Sequence, residues 1–375
     1  MTLAAEAVRL KIVSRRRRRD WTDELRRAVT TVAELAQRLD LTEAERLGAE
    51  RAERAGLPIS ITPYYLSLAD RRDPNCPIRR QCVPHLDEAR EVPGDLVDPL
   101  GEKAHEVAPD LVCRYPDRAL LLVSDRCSVY CRFCTRSRMV GAGGGARSLE
   151  HLGPAFEWLR DHPEVRDVIV SGGDPLAMST ARIAELCAQL RAIDHVEIVR
   201  LATRVPVCLP QRITHELLDA LRPYHPLWVM THFNHARELT SDAARALCDL
   251  ADAGFPVMNQ TVLLRGVNDD ARALEDLFRG LVRLRVRPYY LMQMDPVRGA
   301  SHLRTPLDSG INLMEALQGR VSGIALPKLI VDTPGGMGKV PIGPDYIVSR
   351  GGGRTLLRTH RGVTVEYLDP FSARS

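Results

Sequence analysis

Three cysteines crowd into eight positions, Cys127-Ser-Val-Tyr-Cys131-Arg-Phe-Cys134, spaced C-x3-C-x2-C. Three thiolates on one tight loop can hold three irons of a [4Fe–4S] cube and leave the fourth iron open to a small molecule. A structural zinc ion needs four ligands in closed geometry, and the nearest further candidates, Cys113 and His151, do not stand at finger spacing. Cysteine is often buried without a ligand. Three of them directly after a strand-like run argue instead for a cluster.

A second candidate is Lys339, which follows Pro334-Gly335-Gly336-Met337-Gly338 in a chain with only four lysines, the others being Lys11, Lys103 and Lys328. A glycine-rich run lets the backbone approach a ligand closely and can point N–H groups at a phosphate. A lysine there suits a Schiff base to pyridoxal phosphate (PLP); a surface lysine beside a turn is the plain alternative. The spacing is not that of a P-loop. Arg114-Tyr115-Pro116-Asp117-Arg118 is a further candidate PLP contact. Two arginines suit a phosphate or phenolate oxygen and Tyr115 could stack on the ring, although surface ion pairs would leave the same charge pattern.

The elements that must position these residues follow a rhythm. Short apolar runs recur at 119–123, 168–170, 196–201, 227–230, 257–264 and 289–292, separated by amphipathic stretches such as 180–193, 214–221, 241–253 and 271–284. Six strands alternating with helices predict an α/β fold with a parallel sheet and right-handed crossovers. The unit length suits a barrel or partial barrel, whose chemistry sits at the C-terminal strand ends. Asp125–Cys134, Ser171–Asp174, His232 and Asp295 fall there. Gly141–Ala146 reads as a flexible tether. After 320, Lys328–Val331 leads into the glycine loop, and β-like runs follow at 346–348, 355–357 and 363–367.

Upstream, residues 1–60 read as helical, polar and Arg-rich, with a helix start at Asp20-Trp21-Thr22-Asp23. The run Arg15–Arg19 reads as a solvated arm rather than a nucleic-acid patch. Residues 61–117 predict short helices and loops. The chain thus divides into a helical N-terminal region (1–113), a partial (βα)6 barrel (114–320) and a C-terminal lysine segment with short strands (321–375).

Composition narrows the function classes. With 375 residues, 45% of them hydrophobic, the chain is not disordered. A net charge of +4 is weak grounds for nucleic acid. No stretch approaches about 18 uncharged apolar residues, so no membrane span is expected. The N-terminus lacks the order of a secretory signal. Nine scattered cysteines are no disulfide scaffold, which points to a reducing, cytoplasmic setting.

The cysteine spacing, with an aromatic residue before the last Cys, resembles the radical S-adenosylmethionine (SAM) superfamily. The resemblance implies SAM on the open iron, cleaved to a 5′-deoxyadenosyl radical. Ser171-Gly172-Gly173-Asp174 matches the loop that contacts the SAM amino group. More specifically, the chain resembles the lysine 2,3-aminomutase family from about Trp21 to Tyr367, most densely at 61–68, 114–138, 166–174, 195–204, 225–235, 259–269, 287–290 and 331–339. That likeness implies a PLP-dependent isomerase that moves an amino group from C2 to C3 of an amino acid held as an aldimine. It implies iron ligation by Cys127, Cys131 and Cys134, PLP on Lys339 near Arg114, Tyr115 and Arg118, and His232 and Gln260 near SAM. Arg136 would pair with the substrate carboxylate, and Asp295 and Asp332 with its ε-ammonium.

Two carboxylates beside a dry pocket need a cation, which favours lysine over glutamate. Arginine stays open, because a guanidinium can span two carboxylates and Met292 and Met294 could reshape the pocket. An elongation-factor-P-type lysine aminomutase is a further alternative. An iron–sulfur nucleic-acid-binding protein is a reading from another class. The family's zinc site draws on a cysteine after the Arg-Gly-Val-Asn-Asp motif and on a cysteine-bearing tail. Here Asp270 follows Arg265–Asp269 and no cysteine follows Cys248, so structural zinc is not expected. The expected partners are the amino acid substrate, an electron donor such as flavodoxin or ferredoxin, and further copies of the chain in a homo-oligomer.

Overall fold

The structure is a computed structural model that describes residues 20–54 and 57–370. Arg15–Arg19 lies outside the described residues. Ten strands form one open sheet in chain order: β1 Glu106–Ala108, β2 Leu111–Tyr115, β3 Arg118–Leu122, β4 Asp167–Ser171, β5 Ile198–Ala202, β6 Leu227–Thr231, β7 Val257–Leu263, β8 Arg287–Gln293, β9 Lys328–Asp332 and β10 Lys339–Pro341. Neighbours from β3 to β9 pair in parallel, while β1, β2 and β10 pair antiparallel at the two ends. The six expected βα units are present, and Lys328–Asp332 adds a seventh parallel strand to their sheet. The sheet therefore runs through both expected boundaries, at 113/114 and at 320/321.

The strands alternate as a two-residue period requires. On β4, Val168 and Val170 are buried in the core while Ile169 and Ser171 line the inside; on β5, Val199 and Leu201 are buried while Arg200 and Ala202 line the inside. Crossover helices start where small polar residues can accept the free N–H groups of the first turn. Ser148, Ser179, Thr214, Thr240 and Asp270 cap the helices Leu149–Asp161, Thr180–Arg191, His215–Leu221, Ser241–Asp252 and Ala271–Arg283 in this way. Asp270, the residue after Arg265–Asp269, is thus a helix cap.

The N-terminal region is not helical throughout. Helices Trp21–Arg26, Val32–Arg38 and Glu43–Arg54 are present, but β1 and most of β2 also belong to it. The apolar run on β2 is too short to announce a strand, and pairing with β3 makes it one. A buried ion pair, Arg79 Nε and Nη2 to Glu45 (both 2.6 Å), holds this region together. Its backbone also grips the cysteine loop: Tyr130 N–H donates to Ser60 O and Arg132 N–H to Gln81 O, both at 2.9 Å. The C-terminal strands β11 Ile347–Gly351, β12 Arg354–Arg358 and β13 Thr364–Leu368 form a separate antiparallel sheet with no buried residue. Among the described residues no helix is long and apolar enough to cross a membrane.

Candidate active site

The inward faces of the strands and the loops after them enclose a cavity of about 490 Å³, in the range of small-molecule sites. All sixteen residues given a metal, cofactor or substrate role from the sequence line it.

The loop after β3 carries Cys127, Cys131 and Cys134, all free thiols. Burial pushes the Cys134 thiol up to about 11 and that of Cys127 well above its ordinary value. Such thiols become thiolates when a cation is supplied, which is what iron ligation provides. Among the described residues no three His, Cys, Asp or Glu side chains stand close enough to hold one metal ion. Three thiols on one wall, without a carboxylate among them, suit the corners of an iron–sulfur cluster.

Asp125 and the glycines shape that loop. Asp125 accepts N–H bonds from Gly144 and Gly145, both at 2.7 Å, so the Gly141–Ala146 run is an anchored loop rather than a tether. Gly172 has φ +119°, and an added Cβ would strike the Ser124 carbonyl; at Gly173 it would strike the Arg126 carbonyl. Gly173 N–H donates to Ser124 O (2.5 Å) and Asp174 N–H to Arg126 O (2.7 Å). The Ser-Gly-Gly-Asp motif thereby locks the loop after β4 onto the cysteine loop. Asp174 turns its carboxylate into the protein, accepting from Thr203 Oγ1 (2.7 Å), Arg204 N (2.7 Å) and Leu176 N (3.0 Å).

His232 follows β6 and stands edge-on to Phe133, with ring centroids 5.5 Å apart. Burial, reinforced by the Arg204 charge, lowers its pKa to about 3, so the ring is neutral. Its buried Nε2 has no hydrogen-bond partner among the described residues. Gln260 on β7 lines the same cavity.

The charged end of the cavity is built from both ends of the sheet. Asp332, at the end of β9, accepts from Arg114 Nη1 and Nη2 (both 3.3 Å) and from the Lys339 ammonium. Lys339 N–H donates to Tyr115 Oη at 2.7 Å. Arg118 pairs with Asp117 (2.8 Å) and lies over the Tyr115 ring, 4.7 Å from its centroid. Asp295, after β8, has its pKa raised to about 7 by burial and then by the Asp332 charge, against the pull of Lys339 and Arg114. A cationic ligand between the two carboxylates would reverse that shift.

Arg136 donates to Glu102 (2.8 Å) and to Ser171 Oγ (3.2 Å). Glu102 also accepts from Arg138 at 2.8 Å. Burial works against the Glu102 charge, but the two arginines outweigh it and hold its carboxyl below the ordinary range. Glu102, Arg200, Arg204 and the tilted pair Tyr289–Tyr290, whose hydroxyls lie 2.8 Å apart, were not singled out from the sequence. The Tyr-Tyr step on a predicted strand was the one local signal available. Met292 lines the cavity, whereas Met294 is buried in a small apolar cluster outside it.

Comparison with known proteins identifies relatives of this chain. A family model described as "Radical SAM superfamily" matches residues 121–278, and one described as "Lysine-2,3-aminomutase" matches residues 314–374. The chain is 46% identical to L-lysine 2,3-aminomutase of Clostridium subterminale, covering 94% of this chain and 85% of that protein. It is 46% identical to the L-lysine 2,3-aminomutase of Fusobacterium nucleatum, over 94% and 82%. It is 39% identical to glutamate 2,3-aminomutase of Clostridioides difficile, over 93% and 83%.

Proposed function

The chain belongs to the lysine 2,3-aminomutase family, and on that premise we propose that it moves the α-amino group of L-lysine to C3, giving β-lysine. Radical SAM membership implies a [4Fe–4S] cluster and SAM; PLP is assigned to Lys339. When bound, these groups supply hydrogen-atom abstraction at C3 and a π system across which nitrogen can migrate.

The protein's part is geometry. Cys127, Cys131 and Cys134 would hold the cluster, with the Gly172–Gly173 loop, His232 and Gln260 beside SAM. Arg114, Tyr115 and Arg118 would surround PLP. Arg136, held by Glu102, would receive the substrate carboxylate.

The observation that carries the substrate is the pair Asp295 and Asp332 in one buried wall. Arg114 and Lys339 already pair with Asp332, so Asp295 is the carboxylate left for a substrate ammonium, and a glutamate side chain would set a further carboxylate against it. We further assign flavodoxin or ferredoxin as electron donor, a cytoplasmic location and a homo-oligomeric assembly. The exposed apolar side chains of the C-terminal sheet, such as Tyr367 and Leu368, support the assembly.

The test is made without oxygen. Protein loaded with iron, sulfide and PLP is reduced, given SAM, and offered lysine, arginine or glutamate in separate tubes, with chromatography of derivatised products. The expected product is β-lysine alone. β-Arginine alone would show that Met292 and its neighbours override the carboxylate pair. No product from fully loaded protein would overturn the substrate class.

A further inference from the structure

Arg204 stands just past β5 and links the cysteine loop to a polar network that the proposed reaction leaves unused. Its Nη1 donates to Cys131 Sγ at 2.7 Å. Its Nη2 donates to Gln81 Oε1 (2.5 Å), Glu238 Oε1 (2.8 Å) and Tyr65 Oη (3.0 Å), and its Nε to the His232 carbonyl (3.2 Å). Tyr65 Oη donates to the same Glu238 oxygen at 2.8 Å. The other Glu238 oxygen accepts two backbone N–H groups, at 2.6 and 3.0 Å. Arg204 is 8% exposed, and Tyr65 and Glu238 are 0% exposed.

A guanidinium is costly to bury, and Glu238 offsets its charge. The pair is neutral as a whole but has a direction. Its cationic end meets the sulfur, and its anionic end lies on the far side. An N–H donated to a ligand sulfur stabilises the more negative, reduced form of an iron–sulfur cluster, and hydrogen bonds to sulfur are among the features that set cluster potential. The planar fork explains why arginine fills this place: one nitrogen serves the sulfur while the others are held by fixed acceptors.

We propose that Arg204, held and balanced by Glu238, tunes the reduction potential of the cluster through Cys131. Arg204 is a positioning residue, not a ligand. The proposal rests on reading Cys127, Cys131 and Cys134 as the cluster site. Arg204 and Glu238 then act as opposed levers. Removing the guanidinium makes the cluster harder to reduce. Removing the Glu238 charge leaves an uncompensated cation on the sulfur and makes it easier to reduce.

Full-length wild type and the variants Arg204→Met, Arg204→Lys and Glu238→Gln are reconstituted anaerobically. Iron and sulfide are counted, and the reduced cluster is titrated by electron paramagnetic resonance with and without SAM. At a fixed solution potential, Arg204→Met is expected to lower the reduced-to-oxidised ratio about tenfold, which is about 59 mV for a one-electron couple. Arg204→Lys should fall by less, and Glu238→Gln should move the other way. Should Arg204→Met fail to fold or load, the Arg204→Lys and Glu238→Gln shifts decide the matter. Unchanged potentials at full iron content overturn the proposal, as do shifts of the same sign in both sets, which would indicate mere loosening. A loss of SAM affinity at constant potential overturns it as well. Wild type that takes up no cluster overturns the cluster reading itself, an outcome distinct from the others.

Discussion

Arg114 and Asp332 lie 218 residues apart in the chain, and the guanidinium of one donates to both oxygens of the other at 3.3 Å. Arg114 belongs to β2 and Asp332 to β9, so the contact ties one end of an open sheet to the other. The Tyr115 hydroxyl, which accepts the Lys339 backbone N–H at 2.7 Å, is a second tie beside it. The lysine is therefore held by a strand from the far edge as well as by its own.

Tyr115→Phe removes that hydroxyl while keeping the ring. A lost hydrogen bond of this kind is worth about 1 kcal/mol. The variant is expected to bind PLP several-fold more weakly with little change in melting temperature. Titration of the cofactor's visible absorbance checks this, with Lys339→Ala as the variant that loses the absorbance and the activity altogether.

Asp295 predicts a pH dependence. Its pKa is raised to about 7 in the folded protein, from an ordinary value of 3.8. Between those values the folded state holds a proton that the unfolded chain has released. The stability of the substrate-free protein therefore falls as pH rises through this window and levels off above about 7. A cationic substrate needs the ionised form, so kcat/KM for lysine should rise with pH through the same region. Asp295→Asn is expected to flatten both trends and to weaken lysine binding by about 2–5 kcal/mol. Thermal melts and initial rates between pH 5 and pH 8 (roughly the window in which the group titrates) check the two halves separately.

Gly172→Ala should loosen the cysteine loop, because the new Cβ meets the Ser124 carbonyl in a backbone conformation that alanine rarely adopts. A cost of about 1–3 kcal/mol is expected, together with fewer irons retained per chain after reconstitution. Denaturant unfolding and iron analysis measure these outcomes.

Glu102→Ala strands Arg136 and Arg138 without their shared carboxylate. Arg138 keeps Asp98 at 3.3 Å and Arg136 keeps Ser171, so the expected cost is about 1–3 kcal/mol. Urea titration should find that loss, and KM for the amino acid should rise because Arg136 is no longer held in place. An unchanged KM would mean that Arg136 does not meet the substrate.

The residues legible in the sequence are those whose spacing is local. The cysteines declare themselves within eight positions. The strands declare themselves as short apolar runs, as at 168–170 and 196–201, and the first helix through its start at Asp20. What stayed hidden is what long-range folding brings together. Arg204 meets Gln81 from 123 residues away and Tyr65 meets Glu238 from 173. In a chain so rich in arginine, nothing local separates Arg204 from an arginine on the surface. Glu102 sits in a Pro-rich stretch without period, and only the fold reveals that it serves Arg136. The Asp174 carboxylate matched a SAM-contacting motif, yet its bonds face inward.

The lysine strand is also late in synthesis. Cys134 leaves the ribosome 205 residues ahead of Lys339, an interval of about 10–40 s at roughly 5–20 residues per second. Throughout that interval the nascent chain has its thiols but neither Asp332 nor the partner of Tyr115. Any cluster assembled during translation would form before Asp332 and Lys339 are present.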